Sequence, residues 1–573
     1  VSRTRSSPTP AEALAPPSRR AAAVFALKAS LLRARRAARD LSSGPSRHPR
    51  TSPDGFPVLL AESVTALWTS DDPAERRLQC GKAQNLRVAA KRFDGVTVPA
   101  GEVIGFWRQL GRATPARGFV VGRELREGCL IPAIGGGLCQ LSNALYDLAL
   151  KTGAQIVERH AHSRAIPGSA AAVGRDATVF YNYVDLRFCP AQNLRIEARL
   201  TAESLVVRFW SDRAQTGSAA KPARARVVLL DPTAHGCDTC GQHTCFRHIP
   251  EPTSVGGQRP VVLTDGPLSH EHAAYLAAQA PGARLAPLPR PASVLRRVAT
   301  RLARRHGPAA VRRAQLERTV GIARAYARSL TPEDTELIVA QSLLPFLEED
   351  GVLGGRRVTV LLDRLPLAVL HARLDAALVR FPERRLLGDF RAPDARVRAE
   401  ARALSDATCL VTAHAELAQL FAGRASQVAW RRPDALVRQP AQIRTILFPG
   451  PGAARKGAYE VREAARALGL EVVSLGRTLE GAGFWDGVAV RSGTPADLST
   501  VHAVVQPSLF ETDPSVLLTA RASGIPIVAT AGCGLLADEG VALVAFGDSD
   551  AVIAALTDIL ARTDIEVSDR PGQ

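Results

Sequence analysis

VHAVVQPSLFETDPSVLLTARASGIPIVAT, residues 501–530, decides how the last third of the chain folds. HAVVQPS is a short apolar run closed by turn residues, PSVLLTARAS has helical spacing, and IPIVAT is a second apolar run. A strand, a helix and a strand in succession predict a parallel pair. Outward from this stretch, TILFPG (445–450), AYEVREAARALG, LEVVSLG and DAVIAALTDIL continue the alternation, so residues 436–573 are expected to form a Rossmann-like α/β lobe. Ligands of such sheets lie beyond the carboxyl ends of the strands. The loop GPGAARKG (450–457) therefore sets Gly450, Arg455 and Lys456 where backbone N–H groups, a helix dipole and two cations can meet a diphosphate. Glu511 occupies the matching place in a second loop, ahead of Asp513 and Pro514, which suit a helix start. Neither loop has dinucleotide or Walker spacing.

ILFPG…ARKG followed by VHAVVQPSLFET…LLTARASGIPIVATAGCG resembles the donor lobe of GT-B retaining glycosyltransferases. The resemblance implies that Arg455 and Lys456 clamp the diphosphate of a nucleotide-sugar donor and that Glu511 meets the donor sugar, as the catalytic carboxylate of this lobe. The second carboxylate of that pattern, which holds the ribose, is replaced here by Thr519. SDATCLVTAHAELAQLF (405–421) resembles the end of the companion acceptor-side lobe, expected over 255–435, where short apolar runs (PVVLTD, RRVTVLLDRL, CLVTA) alternate with helical segments. One of those segments, LRRVATRLARRHGPAAVRRAQLER, has Leu295, Val298 and Leu302 on one face and arginines on the other.

The first half reads differently. IGGGLCQLSNALY (134–146) gives up three side chains just before Cys139, which opens a helix carrying Leu141, Ala144, Leu145 and Leu148 at helical spacing. TVFYNYVDLRF, LRIEARL and LVVRFW suggest antiparallel strands, so residues 53–215 are expected to be α+β. At a helix N-terminus a thiol is readily ionised, and Gly135, Gly136 and Gly137 leave its approach open. His160 or His162 can serve as the base for Cys139, and Asp176 or Asp185 can orient that base. Arg164 and Arg175 can add charge for an anionic ligand at the glycines. A buried, inert cysteine beside a turn of closely packed backbone is the competing reading. KAQNLRVAAKRFDGVTVPAGEVIGFWRQLG, IGGGLCQLSNALYDLAL, VERHAHSR and GRDATVFYNYVDLRF, in that order, resemble the VanW family, named for an accessory protein of glycopeptide-resistance clusters. The resemblance implies a cell-envelope context.

Between the halves, over 216–254, HGCDTCGQHTCFRH carries Cys237, Cys240 and Cys245, with His248 or His243 as a fourth donor. Four soft ligands in so short a span suit a structural zinc ion, with an iron–sulfur cluster as the alternative.

The whole is expected to be multidomain, a VanW-like α+β domain followed by a two-lobed Rossmann-like GT-B module, and 573 residues suffice for it. A net charge of +18 favours anionic partners, either a nucleotide sugar or the headgroups near a lipid-linked or glycan acceptor. A nucleic-acid partner would rest on charge and the cysteines alone. Residues 1–52 read as a disordered basic leader with a helix at 21–40, whose Val24, Leu27 and Leu31 share a face. AAAVFALKASLL is interrupted by Lys28 and followed by RARRAARD, the wrong flank for a signal peptide. The expected placement is cytoplasmic, with peripheral contact at the inner membrane face. A non-catalytic glycan-binding scaffold with a degenerate transferase module is the alternative to an enzyme.

Overall fold

The computed structural model describes residues 18–69, 73–126, 129–162, 164–165, 173–215, 219, 228–229, 245, 259–288, 308–389, 391–439 and 444–568. It divides into two compact units, Val1–Gln258 with the short segments Leu330–Thr335 and Gly351–Arg356, and Arg259–Ser329 with Glu336–Asp350 and Arg357–Gln573.

In the first unit the elements that matter are α1 (Arg19–Ser43), β1 (Val58–Ala66), α2 (Pro73–Phe93), β2 (Thr97–Val98), β3 (Val121–Arg126), β4 (Cys129–Ile134), α3 (Cys139–Lys151), β5 (Leu194–Leu200) and β6 (Ser204–Ser211). An antiparallel sheet of order β1-β6-β5-β2 forms one layer. Its β5 alternates strictly: Leu194, Ile196, Ala198 and Leu200 face the core while Arg195, Glu197 and Arg199 do not. Helix α3 packs on this sheet because Leu141, Ala144, Leu145 and Leu148 repeat every three to four residues and are all buried. Gly153, at φ 68°, follows its last turn.

One expectation changes here. TVFYNYVDLRF is rich in strand formers, yet only Arg187–Cys189 is strand. Phe180 and Val184 exchange backbone hydrogen bonds around a tight turn, and the Tyr181 carbonyl accepts from Arg33. The helix expected at 21–40 is present over Arg19–Ser43. Arg36 makes a forked pair with Glu158, and Asp40 meets Arg187 at 2.6 Å, so long-range ion pairs anchor a helix that has little apolar burial of its own. Val24, Leu27 and Leu31 remain exposed.

The second unit contains two parallel six-stranded sheets. The first comprises β7 (Val261–Leu263), β8 (Arg284–Leu285), β9 (Glu336–Ala340), β10 (Arg357–Leu361), β11 (Cys409–Thr412) and β12 (Ala425–Gln427), in the order β8-β7-β9-β10-β11-β12. Central strand β9 was not among the apolar runs picked out above, although LIVA follows the turn residues 331–334. Leu295, Val298 and Leu302 lie outside the described residues, whereas the end of that segment is helical and the helix, Pro308–Ser329, runs on beyond it.

The second sheet comprises β13 (Thr445–Phe448), β14 (Glu471–Ser474), β15 (Val490–Ser492), β16 (Ala503–Gln506), β17 (Ile527–Ala529) and β18 (Val541–Leu543). Helices α4 (Ala458–Leu468), α5 (Ser515–Ala522) and α6 (Ser549–Ser568) accompany them. Its order is β15-β14-β13-β16-β17-β18, so sequential growth reverses between β13 and β16. Both faces are covered: Ile446, Phe448, Val472 and Val505 serve one core, and Leu447, Val473, Val504 and Ile527 the other. Among the described residues no helix is long and apolar enough to cross a membrane.

Candidate functional sites

The strand order reverses between β13 and β16, and the carboxyl ends of two such strands are where sheets of this kind bind ligands. Both loops singled out in the sequence emerge there. Arg455 and Lys456 lie in a single 3-10 turn, Ala454–Lys456, ended by Gly457 at φ 82°. A Cβ at Gly457 would come within 2.5 Å of the Pro507 carbonyl oxygen, so this glycine lets the two loops touch. They are stitched further by Leu509 N–H donating to the Arg455 carbonyl at 2.9 Å.

The side chains meet as a consequence. Lys456 Nζ donates to Glu511 Oε2 at 2.7 Å and to the Phe510 carbonyl at 3.2 Å. Gln506 Nε2 donates to the same carboxylate oxygen, and the Thr512 and Asp513 amides donate to Oε1. Arg455 lies near enough to feel Glu511, but burial dominates and lowers its pKa. Gly450 is buried beside Lys456. Thr519 sits on α5 with its hydroxyl donating to the Ser515 carbonyl at 2.9 Å, so its proton is already committed. Pro514 is the N-cap of α5, and Asp513, expected there, accepts from the Ser515 amide at 3.1 Å from one residue further back.

One neighbour was missed. His414, just past β11, stacks on Phe510 with ring centroids 4.5 Å apart and places Nε2 3.2 Å from the Gly532 carbonyl. Burial lowers its pKa, and its buried Nδ1 has no partner among the described residues. The HAEL context carries no spacing that would have marked it.

The first unit holds a separate constellation. Cys139 is the first residue of α3 and is half-buried. His162 interacts with its thiol and carries Nδ1 2.7 Å from Asp176 Oδ2. Asp176 is fully buried; it also accepts from the His162 amide at 2.7 Å and from Arg159 at 2.7 Å. Of the alternatives weighed above, the structure thus brings together Cys139, His162 and Asp176. His160 instead meets Glu158 at 3.1 Å, and Asp185 is taken by the Trp107 amide and Arg187. Arg175 pairs with Asp147, and the Arg164 side chain lies outside the described residues.

Three consecutive glycines have a packing reason. A Cβ on Gly136 would lie 2.4 Å from the Gly122 carbonyl carbon in β3, and one on Gly137 would lie 2.2 Å from Lys82 Cγ. Gly135 and Gly137 both have positive φ, at 79° and 95°. The room at Gly136 and Gly137 goes to neighbouring chain rather than to open solvent. Asn85, buried on α2, ties the turn down by donating to the Gly136 and Val120 carbonyls; nothing in its sequence context announced that role.

Burial works against charge on His162, yet its bonds to Asp176 and Cys139 prevail and raise its pKa from 6.5 to about 9. A raised histidine stabilises the fold fully below the unfolded value and ceases to do so as pH rises through the folded one. The melting temperature is therefore expected to fall between pH 6.5 and about 9 more steeply in the native chain than in His162→Gln. Parallel pH–melting curves for the two proteins would refute this.

Of the four residues expected to hold zinc, only Cys245 is described, as a half-buried free thiol; Cys237, Cys240 and His248, with the alternative His243, lie outside the described residues. Among the described residues no group of three or more His, Cys, Asp or Glu side chains could hold a metal ion.

Fold and sites together define a two-part protein, an α+β unit with a thiol–imidazole–carboxylate cluster and an α/β unit with a cation–carboxylate cluster at its switch point. Residues 81–210 match the family described as VanW like protein, so the chain carries a VanW-like domain there. The vancomycin B-type resistance protein VanW of Enterococcus faecalis is 33% identical over 135 residues, which is 23% of this chain and 49% of that protein. YoaR of Bacillus subtilis is 31% identical over 132 residues, 23% of this chain and 43% of that one. The chain thus spans about half the length of the curated relatives it matches. Among solved structures, Anabaena HepE in complex with UDP and glucose aligns at 13% identity over 54% of this chain and 90% of that one, with a TM-score of 0.33. Sucrose-phosphate synthase from Thermosynechococcus elongatus aligns at 17% identity over 43% of this chain and 69% of that one, with a TM-score of 0.32.

Proposed function

We propose that the second unit transfers a sugar, with retention, from a nucleotide-sugar donor to a cell-envelope glycan or lipid-linked acceptor. The observation that carries this reading is the 2.7 Å contact between Lys456 and Glu511 at the strand-order reversal. An ammonium has three N–H donors. Two go to Glu511 and Phe510, and the third is left to meet a phosphate oxygen. When the bond from the sugar to the diphosphate breaks, charge grows on the leaving oxygen, where Lys456, Arg455 and the amide end of α4 oppose it. Glu511 then supplies negative charge toward the cationic sugar. A net charge of +18 suits work at the inner membrane face, among anionic headgroups.

Thr519 favours a second reading, a glycan-binding scaffold without transfer, because its hydroxyl proton is held within α5. A thermal-shift screen of nucleoside diphosphates and their sugars on the full chain tests the first reading. At a hundredfold excess over Kd a specific ligand stabilises by about 2.7 kcal/mol. One nucleoside diphosphate is expected to raise the melting temperature, and Arg455→Ala to abolish the rise. No response to any donor, together with saturable glycan binding, would leave the scaffold.

A further inference from the structure

We infer that the VanW-like unit contains a thiol acyl-transfer site, with Cys139 as nucleophile, His162 as its base and Asp176 as the orienting carboxylate, acting on the carbonyl carbon of an ester or amide. The inference is independent of the glycosyl-transfer reading, since every residue it uses lies in the first unit.

Three separate segments make the cluster, and the backbone locks them together. Ser142 Oγ on α3 donates to the Ala177 carbonyl at 2.6 Å, and the Ala177 amide donates to Asn143 Oδ1 at 2.8 Å. The Thr178 amide in turn donates to the His160 carbonyl at 2.8 Å. So the helix that presents the thiol grips the segment bearing Asp176, and that segment grips the one bearing His162. Asp176 occupies Nδ1 of the imidazole, so Nε2 is the ring nitrogen left to serve the Cys139 thiol, with which His162 interacts. Nε2 therefore carries the proton that the leaving group takes. A merely structural thiol would resemble Cys80 or Cys533, both buried. Half-buried Cys189 and Cys409 instead donate to the main-chain carbonyls of Pro190 and Leu410. Arg159 binds the far oxygen of Asp176, and the Lys82 stem lies along Gly137, the residue two before Cys139.

In the reaction His162 Nε2, protonated below pH about 9, holds the proton of the pair while the Cys139 sulfur bonds to the acyl carbon. The oxyanion so formed faces the positive end of α3. Its collapse breaks the bond from carbon to the leaving oxygen or nitrogen, which takes the proton back from His162. Water or an amine then attacks the thioester, gives its proton to His162, and releases the Cys139 thiolate. Atoms and charge balance without a further reactant.

The test uses the full chain and p-nitrophenyl acetate. A burst of about one equivalent of nitrophenolate is expected, with a hydroxylamine-labile acetyl group on the Cys139 peptide by mass spectrometry. General-base assistance contributes about 10²–10⁴-fold, so His162→Gln should acylate at least about 100-fold more slowly. Cys139→Ala should show no burst while melting like the native chain. Should His162→Gln fail to fold, iodoacetamide on the native protein decides: Cys139 must be alkylated faster at pH 6 than Cys189 and Cys409. Acetylation of Cys139 no faster than of those two cysteines, or alkylation without that preference, would overturn the inference.

Discussion

Lys456→Ala is expected to lower kcat/KM for donor turnover by about 10²–10³-fold, the usual cost of removing one group that opposes developing charge in a closed site. The variant loses the group nearest the leaving diphosphate and leaves Glu511 without its ion-pair partner. Because Glu511 keeps Gln506 and two amides, and both side chains of the pair retain 10–12% exposure, the stability loss should fall short of a fully buried break, at about 2–3 kcal/mol. Lys456→Arg restores the charge but not the geometry, and should recover only part of the rate. Release of nucleoside diphosphate, followed at several donor concentrations, measures the effect. A folded Lys456→Ala protein that turns over donor at the native rate would remove Lys456 from the chemistry.

The largest stability effect is expected at Arg384. Its guanidinium meets Glu460 Oε1 at 2.5 Å, with side-chain exposures of 8% and 0%, and it stacks over Phe381 and Tyr459 at 3.8 and 4.4 Å. Glu460 belongs to α4, the helix that follows the Arg455–Lys456 turn. Arg384→Ala strands a buried carboxylate whose other oxygen already lacks a partner among the described residues, and should cost about 3–5 kcal/mol in urea denaturation. The double change Arg384→Met with Glu460→Leu removes both charges and should recover most of that loss. A single substitution costing under about 1 kcal/mol would mean that solvent reaches the pair.

Much of the fold was legible locally. The helix after Cys139 appeared because four apolar residues recur at its period, and β5 because its polar and apolar residues alternate. TVFYNYVDLRF misled for the opposite reason: strand-forming side chains do not reveal that Phe180 and Val184 will close on each other. Helix α1 is held by Arg36 and Arg187 reaching across more than a hundred residues, a link that composition does not carry. At the sites the residue types were legible but the choices among them were not. His160 and His162 are equivalent by spacing, as are Asp176 and Asp185.

The sequence by itself determined the periodic elements, the placement of Arg455, Lys456 and Glu511 after strands, and a nucleophile at a helix start, because each depends on neighbours within a few residues. Only the tertiary structure decided that Lys456 meets Glu511, that His162 and Asp176 are the partners of Cys139, and that Gly136 yields its space to Gly122. These depend on strand order and loop docking, in which residues far apart in the chain are brought within hydrogen-bonding distance by cores whose apolar patterns say nothing of which polar groups will meet.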